Sequence, residues 1–333
     1  MDETFFMNTS HSGIETIPAE TSAVEACPLC NSTTASLLLD APDRFHGREH
    51  NYQLLRCSAC TFVWLAKPPA PEDMPYHYGA AYHQLISEAG EIGASSRWQP
   101  RRDRILRYVK SGAILDIGCG SGAFLSTMKD PGWKLYGIEI EPSTAQRARS
   151  NSGADVFVGD VMAAPISPAS LDVITCFDLL EHVYEPRAFL VQAMKWLKPG
   201  GLFYSVLPNI ASWESRLFGS YWYGLELPRH LSHFSPKTLR HAMTTLGFEE
   251  VYLRTRTSYL EPSIGYAYAA LLRAFGFAYV PAENLQQPGF AFRALRKLGR
   301  FAFIVPFAQS AVLAGSGASI ESIFRKPADK QIG

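Results

Sequence analysis

Leu115-Asp116-Ile117-Gly118-Cys119-Gly120-Ser121-Gly122 ends a short apolar run, AILDIG, and places a glycine at every second position of the turn that follows. Alternate glycines after a buried strand let the backbone pass close under a ligand, and the next helix presents its free N–H groups there. That helix runs through Phe124, Leu125 and Met128. Read as Gly118-x-Gly120-x-x-Ala123, the same turn also fits a dinucleotide fingerprint.

Working outward, apolar runs alternate with helical patterns. KLYGIEI, DVFVGD, LDVITCFDLL and LFYSVLP follow AILDIG as strands, and EEVYLRT and ASIESIFRK complete a set of seven. Between them fall a helix opened by Pro142-Ser143, another over RAFLVQAMKWL closed by Lys198-Pro199-Gly200-Gly201, and a third from Lys237 to Leu246 behind a Ser235-Pro236 cap. RRDRILRYVK, from Arg101, reads as a short helix ahead of them. Such alternation predicts an α/β fold: a Rossmann-like, doubly wound, mostly parallel seven-stranded sheet.

The 333 residues suggest about two domains. Residues 1–22 read as a disordered leader, 23–66 as a zinc-ribbon-like module, and 67–100 as a Pro-rich linker with an aromatic segment. Residues 101–333 form the large domain, including a helical insertion at about 262–317. Balanced charge, 31 Lys+Arg against 31 Asp+Glu, argues against a broad basic face for nucleic acid. MDETFFMNTSHSGIETIPAE has no apolar run behind a basic start, so no secretory signal is expected and the default compartment is cytoplasmic.

Four acids stand at four successive strand ends: Asp116, Glu139, Asp160 and Asp178. Glu139 lies about 20 residues beyond the glycine turn, where a carboxylate accepts from ribose hydroxyls. Asp160 is placed for an adenine amino group. The set suits a ligand with hydroxyls, an amine and positive charge, and suits a pyrophosphate poorly. Taken together, LDIGCGSG, GIEIEP, VGD, FDLLEHV and LKPGG resemble, in order and spacing, the class I S-adenosylmethionine-dependent methyltransferases, in the branch that includes the ubiquinone-biosynthesis O-methyltransferases. The resemblance covers roughly Arg101 to Leu253. It implies that Gly118, Gly120 and Gly122 hold the methionine end, Glu139 the ribose and Asp160 the adenine.

Glu181-His182 follows the fourth strand, and Leu227-Pro228-Arg229-His230-Leu231-Ser232-His233 leaves the same sheet edge after the fifth. Methyl transfer to oxygen needs alignment and a base, and histidine suits the second task. His182 is the first candidate, with His233 and His230 behind it. Each has the plainer alternative of a backbone hydrogen bond. His-x-x-His beside Glu226 is too few ligands for a metal site.

Cys27-x-x-Cys30 and Cys57-x-x-Cys60 are different. Two such pairs complete a tetrahedral thiolate site, so a structural zinc is expected in a module too small to bury much core. The intervening SLLLD, YQLLRC and TFVWL read as short strands. Such a module ahead of a methyltransferase domain also resembles the sugar C-methyltransferases of deoxysugar pathways and, more loosely, certain ribosomal RNA methyltransferases. Arg97, Arg101, Arg102, Arg104 and Arg107 read as a solvated helix face, with one of them available to a cofactor carboxylate.

The apolar insertion is too interrupted to span a bilayer. Its helices read as a lid over the acceptor pocket. FRALRKLGRF offers the alternative of an interfacial helix, peripheral membrane contact and a lipid-linked acceptor. The expected function is methyl transfer from S-adenosylmethionine to an oxygen or carbon of a small-molecule, sugar or lipid-linked acceptor. The rivals are an RNA methyltransferase that uses the ribbon for recognition and an NAD(P)-dependent oxidoreductase.

Overall fold

The computed structural model describes residues 26–48, 50–79, 94–256, 263–268 and 303–328. The leader at 1–22 and most of the 262–317 insertion, including FRALRKLGRF, lie outside the described residues.

Three strands form first in the chain: β1 (Ala35–Pro42), β2 (Asn51–Cys57) and β3 (Val63–Leu65). Helix α1 (Ala94–Leu106) follows, beginning seven residues before the Arg101 start expected for it. Then come β4 (Gly112–Ile117), α2 (Ala123–Thr127), β5 (Trp133–Glu139), α3 (Pro142–Ser152), β6 (Asp155–Val158) and β7 (Leu171–Phe177). The second half continues with α4 (Pro186–Trp196), β8 (Leu197–Pro208), α5 (Trp213–Phe218), β9 (Ser232–His233) and α6 (Pro236–Thr245). The described chain closes with β10 (Glu249–Arg256), α7 (Val305–Leu313) and β11 (Ser319–Arg325).

All seven strands of the expected sheet pair, in the order β10-β11-β8-β7-β4-β5-β6. β11 alone runs antiparallel, against both β8 and β10. The chain winds outward from β4 through β5 to β6, then returns to build β7 and β8 on the other side. The direction therefore reverses between β4 and β7, and in a doubly wound sheet ligands bind beyond the strand ends at that reversal.

Helices cover both faces, so alternate residues of one strand enter different cores. Leu115 and Ile117 pack with Ile174, Leu190, Trp196 and Phe203 on one face. Ile114 packs with Phe124, Leu125, Ala148, Val173 and Tyr204 on the other. Leu190 is fully buried, so truncating it to alanine costs about 2–5 kcal/mol.

Local signals set the helix starts. Glu141 caps α3 by accepting from Thr144 N, with Pro142 in the first turn. Ser235 and Thr238 form a reciprocal capping box on α6. Lys198-Pro199-Gly200-Gly201 closes α4 as expected and itself lies within β8, whose ladder to β7 resumes across an irregularity between Leu171 and Val173.

The cysteine ribbon does not stand apart. β1, β2 and β3 pair antiparallel, and β9 adds a fourth strand to their sheet, with Val63 opposite His233 and Trp64 opposite Ser232. Leu65 N donates to Leu231 O at 2.9 Å. Phe62 lies against Phe234 at 4.9 Å between ring centres. The ribbon's Cys27, Leu29 and Trp64 share one apolar cluster with Leu180 and Phe189 of the large sheet's layer. A three-stranded ribbon this small buries too little alone, and here it borrows its core from its neighbour.

Candidate active site

The glycine turn sits at the sheet reversal, at the end of β4. Gly118 N and Cys119 N both donate to Ile138 O of β5, which fixes the turn against the neighbouring strand. The three glycines differ in what surrounds them. A Cβ on Gly122 would stand 2.9 Å from the backbone of Ala148, so this residue lets α3 pass close to α2. A Cβ on Gly118 would meet Leu179 at 3.1 Å. At Gly120, with φ +52°, nothing lies within 4 Å. Of the three, Gly120 alone faces open space.

The four acids divide in the same way. Glu139 Oε2 accepts from Gly120 N at 3.0 Å and its Oε1 from Glu141 N at 3.1 Å, so this half-buried carboxylate clasps the turn. Asp116 is buried and accepts from Thr175 Oγ1 at 2.6 Å. Burial pushes its carboxyl up to about 7, against the pull of Thr175 and Arg101. Asp160 is exposed and caps the turn after β6, accepting from Met162 N at 2.7 Å. That leaves one of its oxygens available. Asp178 takes a left-handed backbone, φ +52°, rare for a residue with a side chain and a frequent mark of functional positions. Its carboxylate pairs with Arg97 at 2.7 Å, on a surface where such a pair adds little stability.

Three groups beside this crevice were not singled out from sequence. Ile140 and Met162 are 74% and 51% exposed, two apolar side chains held in the open one residue after Glu139 and two after Asp160. Arg101 lies over the rings of Trp98 and Phe177, at 4.8 and 4.6 Å. Its Nη1 is buried without a hydrogen-bond partner. The only sequence signal for Ile140 and Met162 is an apolar residue one or two positions after a strand-end acid. Arg101 was one of five arginines with no reason to prefer it. Glu321 secures the helix that carries it, accepting from Arg104 Nε at 3.1 Å, Arg256 Nε at 2.7 Å and Tyr204 Oη.

The histidines gather beyond β7. His182 ends a short turn at Leu180–His182 and remains half-buried. His230 and His233 are buried. The rings of His182 and His230 lie 4.7 Å apart, and those of His230 and His233 6.2 Å. His182 Nδ1 is 2.9 Å from Arg229 O and 3.0 Å from Tyr78 Oη. A carbonyl only accepts, so the Nδ1 carries the hydrogen and the Nε2 keeps its lone pair. Burial holds His182 below its ordinary pKa, opposed by Glu226. His230 is pushed further down by burial and His182, with Nδ1 donating to Gly224 O at 2.9 Å. Burial and His230 lower His233 to about 3. Glu181, buried beside Asp178, is raised well above the carboxylate range.

All four ribbon cysteines converge. Their sulfurs lie within 4.8 Å of one another, with Cys27–Cys60 and Cys30–Cys57 at 3.6 Å. A tetrahedral zinc–thiolate site at the usual bond length spaces its sulfurs by about 3.8 Å, so the donor set fits that ion. Cys119 and Cys176 are buried in the sheet layers. Glu181, His182 and His230 also bring ligand-type atoms within 4.8 Å. There His182 and His230 each donate their Nδ1–H to a carbonyl, which leaves the Nε2 of each ring as an acceptor.

Residues 92–253 match the profile of a family described as a methyltransferase domain. A ubiquinone biosynthesis O-methyltransferase of Idiomarina loihiensis is 36% identical over 108 residues, 30% of this chain and 44% of that protein. One from Pectobacterium atrosepticum is 30% identical over 151 residues, 43% of this chain and 62% of that protein. The chain thus spans roughly half the length of these curated relatives. Among solved structures, a SAM-dependent methyltransferase from Archaeoglobus fulgidus overlaps 74% of this chain and all of its own, at 18% identity and a TM-score of 0.48. Over 92–253, this chain is similar to methyltransferase domains.

Proposed function

We propose that this protein is an S-adenosylmethionine-dependent methyltransferase acting on a hydroxyl or carbon of a small-molecule acceptor. The observation that carries the reading is the clasped glycine turn at the sheet reversal: Glu139 holds Gly120 N beside open space, with Asp160 and Asp178 on the next two strand ends of the same crevice. The match to methyltransferase domains supports the reaction, and the names of the curated relatives support a small hydroxylated acceptor. The ribbon at 23–66 serves as a supporting module, and the domain that follows carries the chemistry.

When bound, S-adenosylmethionine supplies a methyl group already activated by a sulfonium. Glu139 takes the ribose hydroxyls, Asp160 the adenine amine through its free oxygen, and Ile140 and Met162 flank the flat base. Gly118, Gly120 and Gly122 shape the methionine end, where the unpartnered Arg101 Nη1 answers a carboxylate. Asp116 and Asp178 keep the crevice floor polar. On the acceptor side, His182 offers an Nε2 that is unprotonated at neutral pH, and it takes the proton a hydroxyl loses as its oxygen is methylated. His230 and His233, both buried, back the ring. Cys27, Cys30, Cys57 and Cys60 hold a structural zinc, a full thiolate set with no open position.

Titration calorimetry with S-adenosylmethionine and S-adenosylhomocysteine, set against NAD and NADP, tests the cofactor. Binding of the first pair only is expected; nicotinamide binding, or no binding, sinks the proposal. Mass spectrometry of extracts incubated with methyl-labelled cofactor then identifies the acceptor. Elemental analysis should find one zinc per chain.

A further inference from the structure

The two oxygens that meet His182 Nδ1 belong to segments far from it in sequence, and both segments are held by the same turn of the ribbon. Asp43 is fully buried between β1 and β2, and its Oδ1 accepts from Phe45 N and His46 N at 3.2 Å. Its other oxygen lies 3.5 Å from Arg229 Nη1. Arg229, also fully buried, places that same nitrogen 3.0 Å from His77 O and its Nε 3.2 Å from Glu226. His46 Nε2 donates to His77 O as well, at 3.0 Å, and Arg48 reaches His77 Nδ1 at 2.8 Å. Arg229 supplies the carbonyl on His182, and Tyr78, next to His77, supplies the hydroxyl.

We infer that the Asp43 turn of the cysteine ribbon is a positioning element for His182, gripping through Arg229 and His77 the two oxygens that set its ring and tautomer. A clamp meant only for stability is better built from apolar groups, because removing Asp43, Arg229 and Glu226 from water costs several kcal/mol per ion before their attraction is counted. What an ionic clamp of this kind adds is a single geometry. Tyr78 and Arg229, 35 and 186 residues beyond Asp43, are brought to one ring nitrogen of His182, 139 residues beyond it, and neither can slip without straining the hydrogen bond from Arg229 to His77 O. The catalytic consequence rests on the reading of His182 as base. The positioning itself does not.

The test needs no acceptor. In full-length protein labelled with 15N in its imidazoles, long-range proton–nitrogen correlation at pH 7.5 reports the tautomer of His182, assigned by loss of its signals in His182→Gln. Wild type is expected to show the Nδ1–H form alone. In Asp43→Asn, which keeps the side chain's size, the Nε2–H form should rise from under about a tenth to about half. S-adenosylhomocysteine affinity by calorimetry should stay within about twofold, since the crevice lies on other elements. Should Asp43→Asn fail to fold, Arg48→Gln, a partly exposed residue that bonds His77 and Tyr76 O and sits 3.6 Å from Asp43 without touching Arg229's carbonyl, gives the same shift in smaller measure. An unchanged single tautomer in whichever variant folds, or an Nε2–H form in wild type, overturns the inference. Turnover of labelled cofactor retained by His182→Gln would instead remove the base and leave the tautomer result standing.

Discussion

The proposed cofactor crevice and the proposed acceptor side meet at the same sheet edge but are built in opposite ways. The crevice consists of short-range pieces: a turn, four strand ends and the residues just after them, mostly half-buried or exposed apart from Asp116, with Gly120, Ile140 and Met162 facing open space. The acceptor side is buried and polar, assembled from Asp43, His77, His182 and Arg229, whose partners lie across the chain. An open sheet edge lets solvent or ligand complete its hydrogen bonds, so its residues need only local geometry. A buried polar cluster must complete itself, and therefore draws on whatever the fold brings near.

Five substitutions would break or sharpen this contrast. The largest effect is expected from Gly122→Val. Its Cβ collides with the α3 backbone at a left-handed position, so the cost is about 3 kcal/mol or more, read as a lost thermal transition together with lost S-adenosylhomocysteine binding. Gly120→Ala, in open space, should cost only about 1–2 kcal/mol from its backbone angle.

Asp116→Asn comes next, through pH. The folded pKa of Asp116 is raised to about 7, so its contribution to stability is full below the unfolded value and is lost as pH rises through the folded one. Asparagine does not titrate. The unfolding free energy of the variant should therefore gain on wild type between about pH 4 and 7 and level off above, by up to about 4 kcal/mol in all, read by denaturant unfolding across that range. A constant difference across that range would show that Asp116 is not a suppressed carboxylate.

Glu139→Gln should weaken S-adenosylhomocysteine binding at least about tenfold, with the thermal transition little changed, because the Gly120 bond is kept and the charge facing the ribose is lost. Asp160→Ala should be smallest. It removes a turn cap worth about 1 kcal/mol and one cofactor contact, so affinity falls by less than at Glu139. An equal loss at both acids would mean that the crevice does not grade its carboxylates as proposed.

The same contrast decides what could be read from residues alone. The seven strands, the Ser235 cap and the glycine turn carry their signals within a few positions, and all of them form. The cysteine pairs also announce themselves, since spacing alone prescribes their meeting. β9 does not: two residues, Ser232 and His233, become a strand only because β3 presents an edge to them. Nothing near Arg229 marks it as fully buried, and nothing near Tyr78 marks it as a partner of His182. The three histidines lie together, with ring centres 4.7 and 6.2 Å apart, but their depth is not legible in the sequence, because it depends on the ribbon strand paired with β9.

The pairing of β3 with β9 bears on how this architecture can be taken apart. A chimera that swapped residues 23–66 for another ribbon would leave Ser232 and His233 without their template and bare the apolar surface that Phe62 and Trp64 now cover. The ribbon is therefore not a portable cassette. Any exchange between such proteins would have to carry the loop after β8 along with it.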